Sequence, residues 1–314
     1  MLNNISEKQI IEIFRKQFQL RSMINDVEIF PSNKKINVVK VDTLVSSTDL
    51  TPNFPLIDVA RKSIVACVSD FAAKGVRPYF GIISITIPKE FTVNMIKKLT
   101  IGFANASKEF KIKFLGGDTN QGKELTITIC LFGHAENITS RKDSCIGDIV
   151  FVTGPFGYSS SGLQIALGRR ATKQFMKQAL SAFYRPDPKL SFGISAAKYF
   201  TSSMDSSDGL ATTLHELARQ SKHKIHLTSL PCDDSIVSFA KNDKNLHQLV
   251  LFGGEEYEIV ATCSRKNYSK IEKLAKLHKV TLMNIGTVTR GSGVMLNNDS
   301  SIPDKGWSHF INTS

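Results

Sequence analysis

The chain has 314 residues, of which 41% are hydrophobic and 22% charged, and a formal net charge of +12. Such a chain is globular and long enough for two ordinary domains with a substantial core. No apolar run approaches the roughly 18–20 residues of a membrane span. Its Lys and Arg are spread out with no interleaved aromatic motif, as on a basic solvated surface rather than a nucleic-acid platform. Neither a membrane nor a nucleic acid is expected as a partner.

In chain order, residues 5–19 read as an amphipathic helix rather than a signal peptide, so a cytoplasmic location is expected. Residues 36–45, "INVVKVDTLV", are β-rich. Residues 55–75 place Val59, Ile64, Val68, Phe71 and Ala72 at helical spacing, with Gly75 as the stop and Pro78 beyond. A strand is predicted over 79–88, a helix over 92–110 and a strand over 123–135. With the strand-like "VEIF" after Asp26, the first half reads β-β-α-β-α-β.

A polar, turn-rich stretch follows, and the boundary is placed near residue 138, giving domains 1–137 and 138–314. The second half reads as a strand at 149–153, a Gly/Ser loop, helices over 159–199 and a short strand before "MDSSDGL". A helix over 208–221 and strands at "KIHLTSL", "YEIVATC", "TLMNIGTV" and "GVMLN" complete it. The fold class is therefore α/β (α+β), in two domains. No tandem repeat is visible. The five cysteines form no C-x-x-C pair, so reduced, mostly buried thiols are expected. His223 and His226 lack the spacing of a helical zinc pair, and no structural metal is assigned to them.

Gly117 to Lys123 reads G-D-T-N-Q-G-K, which matches a phosphate-binding P-loop up to its last position. That position holds Glu124 instead of Ser or Thr. A P-loop also needs a helix after it, whereas "KELTITI" alternates like a strand. The match is accidental. What remains is G-G-D-T, in which glycines allow a close backbone approach beside the Asp118 carboxylate. "VTGPFGYSSSGL" (152–163) is a separate candidate for anion binding by backbone amides.

Carboxylates recur at unusual positions: Asp26 before a strand, Asp42 inside one, Asp70 on an apolar helical face, Asp118 after glycines, and Asp205 and Asp208 around two serines. Asp208 or Ser207 also fits a helix cap, and Asp118 a turn. Gathered together, such groups would repel by roughly 4 kcal/mol per close pair at an effective dielectric near 20. A divalent cation removes that repulsion, and oxygen ligands without His or Cys suit Mg²⁺. "GGEEYEI" (253–259) reads either as a loop turning a carboxylate into a cleft or as a tight turn with exposed charge.

The ordered set "VDTLV", "VSDFAAKGVRP", "LGGDTNQG", "GDIVFVTGPFG", "DSSDGL", "FGGEEYEI" and "GWSHF" spans about residues 24–310. It resembles the thiamine-monophosphate kinase family, of the superfamily that includes aminoimidazole ribonucleotide synthetase. The resemblance implies an N-terminal α/β domain that dimerises through its strands and a C-terminal α/β domain. It implies transfer of the ATP γ-phosphate to thiamine phosphate, with several Mg²⁺ ions. Asp26, Asp42, Thr43, Asp70, Asp118, Asp205 and Asp208 fall at its metal-binding positions. Gly117, Asp118, Arg141 and Ser207 fall against the nucleotide phosphates, and Asp49, Glu255 and Trp307 at substrate positions. No residue is assigned as a general base. Trp307 fits stacking on a cationic thiazolium ring or simple packing.

Three positions depart from the family pattern. Ile24-Asn25-Asp26 stands for G-D-D, Asp49 for a histidine, and Glu256 for the aspartate of G-G-E-D-Y. The alternatives are another ATP-dependent enzyme of the superfamily, or a nucleotide-binding regulator.

Overall fold

The computed structural model describes residues 7–18, 26–31, 35–297 and 300–308. Asn25 and the chain after Ser308 lie outside the described residues, as do both ends of the helix expected over 5–19. The first half runs α1 (Glu7–Gln17), β1 (Glu28–Pro31), β2 (Ile36–Val45), the single turn α2 (Ser46–Asp49) and α3 (Leu56–Lys74). It continues with β3 (Arg77–Pro88), α4 (Val93–Phe110), β4 (Lys113–Gly122) and β5 (Thr126–Ala135). Its strands form one sheet in the order β1-β2-β5-β3-β4. Every pairing in it is antiparallel except β3 with β4.

The expected order lacks β4. Its sequence, "KFLGGDTNQG", is polar and rich in glycine, so it carries no apolar alternation to read. The glycine requirement comes from the neighbouring strand. A Cβ on Gly117 would stand 1.6 Å from the Ile83 carbonyl oxygen on β3. Glu124, the residue that spoils the P-loop match, accepts hydrogen bonds from Ser47 N (2.9 Å) and Ser46 Oγ (3.3 Å). It therefore caps α2 from across the chain.

The second half runs β6 (Ile149–Val152), α5 (Tyr158–Ala166), α6 (Lys173–Tyr184), α7 (Leu190–Ala196), β7 (Ser202–Asp205) and α8 (Leu210–Ser221). It continues with β8 (Lys224–Leu227), α9 (Asp234–Ala240), α10 (Asp243–Val250), β9 (Ile259–Cys263) and α11 (Arg265–His278). It closes with β10 (Met283–Thr289), β11 (Val294–Leu296) and β12 (Ser300–Ser301). The second sheet has the order β12-β11-β8-β10-β6-β9-β7.

Helix α3 joins the two halves. Nearly all of it from Val59 to Lys74 is buried, so it is enclosed all round rather than amphipathic. Gly75 ends it in the left-handed conformation (φ 71°) that glycine adopts without strain. One core contains Val38, Ile127, Ile129 and Leu131 of the first sheet, Val59, Ile64 and Phe71 of α3, and Phe151, Ile259 and Ala261 of the second. Alternation along β6 sends Val150 and Val152 to the opposite face, into a second core with Leu210, Leu214 and Leu217 of α8. Of the cysteines, Cys67 and Cys263 are buried and Cys145 is exposed, and all five are free thiols. Among the described residues, no helix is long and apolar enough to cross a membrane.

The approach of α4 to α3 depends on Gly102, where a Cβ would lie 2.3 Å from the Ile57 carbonyl oxygen and 2.8 Å from Ala60 Cβ. Overpacking of this kind costs about 1–3 kcal/mol. Gly102→Ala should lower the unfolding free energy from denaturant titration by that amount; an unchanged value would mean that the helices separate without cost.

Candidate active site

Asp26, Asp70 and Asp205 converge where α3 meets the end of β7. All three are buried, and one carboxylate oxygen of each lies within 4.8 Å of the others. The fold brings them from three separate places: Asp26 before β1, Asp70 in the last turns of α3, and Asp205 at the last position of β7. It is the only such group of potential ligands among the described residues.

Among the described residues, three cations hold the cluster. Lys74 Nζ lies 2.7 Å from Asp26 Oδ2 and donates to the Ser203 carbonyl at 2.6 Å. Lys40 Nζ lies 2.8 Å from Asp70 Oδ2 and 3.4 Å from Asp42 Oδ2. The Arg141 guanidinium contacts Asp26 Oδ1 and reaches Glu216 at 3.5 Å. Ser69 Oγ donates to Asp205 Oδ2 at 2.6 Å.

The ionisation of these groups reflects the crowding. Burial, then the charge of Asp205, pushes Asp70 well above the usual carboxylate range. Burial lowers the Lys40 ammonium, but Asp70, Asp42 and Asp205 outweigh it and hold its pKa well above the ordinary lysine value. Burial brings Lys74 down to about 7, against the pull of Asp70 and Asp205.

The donor set suits a hard divalent cation. Its ligand atoms are all carboxylate oxygens, and the repulsion that raises Asp70 is what a cation relieves. Asp26 Oδ2 is also buried without a well-aligned hydrogen bond.

Beside the cluster, three loops are stitched backbone to backbone. Beyond the β7–β9 pairing, Ser206 N donates to Glu258 O (3.0 Å), Tyr257 N to Ser206 O (2.9 Å) and Glu255 N to Ser207 O (2.6 Å). Trp307 N donates to Asp208 O at 2.9 Å. A Cβ on Gly254 would stand 2.5 Å from Ser207 O, and one on Gly306 2.2 Å from Asp208 O. The glycines of "GGEEY" and "GW" are thus required by close backbone approach. Glu255 and Tyr257 hold positive φ angles of 64° and 55°, a costly conformation for residues with side chains. Glu255 Oε1 lies 2.7 Å from Nζ of Lys62, on α3.

Residues 25–135 match the family model for the AIR synthase related protein, N-terminal domain. Over 98% of its length the chain is 46% identical to the whole of the thiamine-monophosphate kinase of Nitrosopumilus maritimus. The chain belongs to the thiamine-monophosphate kinase family. A solved structure of AaThiL complexed with AMPPCP and TMP superposes with a TM-score of 0.89, covers 98% of each chain and is 26% identical. Escherichia coli HypE, a hydrogenase maturation protein, superposes with a TM-score of 0.73 over 94% of this chain and 96% of its own. At 15% identity that likeness concerns the fold alone.

As an enzyme of the thiamine-monophosphate kinase family, the chain places its expected site residues unevenly. Asp26, Asp70 and Asp205 are together, and Asp42 joins them through Lys40. Asp118 stands outside this cluster, exposed on β4, with Asn120 Nδ2 donating to it at 2.6 Å. Thr43 points to the opposite face of β2 from Asp42, where its hydroxyl meets Thr128 Oγ1 at 3.0 Å. Ser207 and Asp208 sit in the stitched loop, outside the three-carboxylate group.

Two expected roles meet different partners. Arg141, expected against phosphate, has its guanidinium on Asp26 and Glu216. Asp49, expected at the substrate, caps its own turn: Oδ2 accepts from Val45 N (2.7 Å) and Oδ1 from Thr48 Oγ1 (2.8 Å). Trp307 is 54% exposed, against the Asp208 loop.

The sequence reading missed Lys40, Lys62 and Lys74. The available signal was a lysine inside an otherwise apolar run, in "VVKV", "VARKSIVA" and "SDFAAKG". It also misread the Gly-rich loop before α5. The acceptor at those amides is the chain's own Glu256, whose Oε1 accepts from Gly157 N (2.7 Å) and Ser159 N (3.1 Å).

Burial raises Glu256 to about 8 and Glu258 to about 7, each from an ordinary value of 4.5. In the unfolded chain both lose their protons near 4.5, so over this window the folded state binds more protons. Stability should therefore fall as pH rises from about 4.5 to about 8. Thermal melts across that range should show the fall in the native chain and a shallower one in Glu256→Gln, which lacks the Glu256 contribution while the other buried groups keep theirs. An equal slope in both would rule out Glu256 as a source.

Proposed function

We propose that this chain transfers the γ-phosphoryl group of ATP to thiamine phosphate, giving thiamine diphosphate and ADP. The observation that carries this reading is the buried Asp26–Asp70–Asp205 cluster, built jointly by both halves of a chain of this family. The relative complexed with AMPPCP and TMP supports an ATP-like donor and thiamine phosphate as acceptor. It was covered by 98% of this chain.

Mg²⁺ bound by Asp26, Asp70 and Asp205, with Asp42 nearby, would neutralise phosphate charge and the carboxylates' mutual repulsion. The chain's own part is mainly positioning. The attacking group is an oxygen of the thiamine phosphate, already ionised near neutral pH, so no residue has to remove a proton from it. That oxygen forms a bond to the γ-phosphorus as the bond to the β–γ bridging oxygen breaks, and ADP carries away the electron pair. A direct in-line displacement needs the two anions held close and oriented. The stitched loops from Asp205 to Gly209 and from Gly253 to Tyr257 supply a backbone-bonded frame for Glu255 and Trp307, the residues proposed to meet the substrate.

The proposed domains are 1–137, carrying the first sheet, and 138–314, completing the site. A homodimer is proposed through the outer face of the first sheet. Val41 and Ile82 face each other across Cys130 there, and Val41, Phe80, Ile82 and Leu115 are exposed. In the neighbouring row Asp118 lies beside Ser84, Thr128 and Thr43, so the nucleotide-side residues border that surface. The reaction is placed in the cytoplasm.

Purified enzyme with Mg²⁺ and ATP should form ADP only when thiamine phosphate is added, with one thiamine diphosphate per ADP. ADP formation independent of thiamine phosphate would refute this reading. Because Asp118 is exposed, Asp118→Asn should leave the melting temperature unchanged while lowering kcat by about a hundredfold or more. Near-native kcat would remove Asp118 from the site.

A further inference from the structure

Lys62 lies in the middle of α3, and its side chain is only 2% exposed. Its ammonium sits 4.3 Å from the Phe183 ring centroid and 5.2 Å from that of Phe54. Among the described residues its only ion-pair partner is Glu255, 2.7 Å away, and Nζ makes no well-aligned hydrogen bond. An ammonium with three N–H donors is thus enclosed with one carboxylate and two aromatic faces.

A hydrophobic residue would fill this place at lower cost, because burying an ion pair is often no more stabilising than packing apolar groups of similar volume. Nor does Glu255 require the pair for solvation, since its carboxylate is 31% exposed and open to water. The pair instead fixes a direction. Glu255 has a left-handed backbone, pinned on one side by its N–H bond to Ser207 O. Lys62 pins its side chain on the other. Along α3, Lys62 stands eight residues before Asp70, or about 12 Å at 1.5 Å per residue. With the phosphates at the carboxylate cluster, as the proposed function has them, this spacing sets Lys62 apart from the transferred group and leaves Glu255 as its link to the substrate.

We propose that Lys62 is a positioning residue for thiamine phosphate, holding the Glu255 carboxylate in its binding orientation. The inference rests on the proposed function, in which Glu255 contacts that substrate. Lys62 has no part in nucleotide binding or in the transfer step.

The test is steady-state kinetics of Lys62→Met, Lys62→Arg, Glu255→Gln and the Lys62→Met/Glu255→Gln pair, with thermal melts of each. Lys62→Met should raise KM for thiamine phosphate by about tenfold or more, with KM for ATP unchanged and kcat within about threefold. Its melting temperature should be at least that of the native chain, because methionine suits the aromatic cradle. Lys62→Arg should recover part of the lost affinity, and the double variant should bind no worse than Glu255→Gln. An unchanged KM for thiamine phosphate in Lys62→Met would overturn the inference. So would a lower melting temperature with kcat and both KM values impaired together, the mark of a purely structural role. Absence of thiamine-phosphate-dependent turnover in the native chain would overturn the proposed function as well, which separates the two failures.

Discussion

A helix enclosed on every side that nonetheless carries charge constrains everything around it. Burial of α3 between the two sheets would strand Lys62, Asp70 and Lys74 in a medium where an unpaired ion costs several kcal/mol. Each must meet an opposite charge supplied by another part of the chain. Lys74 meets Asp26, Asp70 meets Lys40 from β2, and Lys62 meets Glu255 from the second half. Lys74 also donates to Ser203 on β7. The bonds from Lys62 to Glu255 and from Lys74 to Ser203 specify how the two halves dock more narrowly than apolar contact does, because a shift of one helical turn would take both lysines from those partners.

The same helix divides the proposed reaction into two tasks. Its C-terminal turns support the carboxylates suited to cation and phosphate, while its middle supports the loop proposed to meet the organic part of the acceptor. Rigidity between the two is what a transfer between two anions requires, since the gain comes from orientation and charge compensation rather than from an acid or base. The loops meet that need with backbone bonds, close glycine approaches and two residues in left-handed conformations. Their geometry is thus fixed by the main chain, and only the final direction of a side chain is left to a partner such as Lys62.

Much of this was legible in the sequence. Apolar spacing located α3, α4, β2 and β3, a carboxylate on an apolar helical face pointed to Asp70, and the pair around two serines pointed to Asp205. The unread features share a physical cause, in that they depend on partners far away in the chain. β4 is a strand because β3 offers its edge, although its own residues carry no strand pattern. Glu124 is an acid because α2 needs a cap, and Glu256 because the amides at the start of α5 need an acceptor. Glu124 stood in a motif that looked like a phosphate site, and Glu256 occupies the amides of another, at residues 152–163, so in both cases the chain makes internal use of the feature. Arg141 and Asp49 likewise turn to groups of the chain itself, which residue type and order do not reveal.

The most direct test of cation binding at a cluster shared by the two halves is manganese titration followed by electron paramagnetic resonance, without nucleotide. Asp70→Asn alters the contribution of α3, and Asp205→Asn that of β7 in the second sheet. The expected result is tight manganese binding by the native chain and its loss in each variant, with folding retained. Native-like manganese binding in both variants would contradict a shared cluster, and with it the proposed role of the junction in phosphoryl transfer.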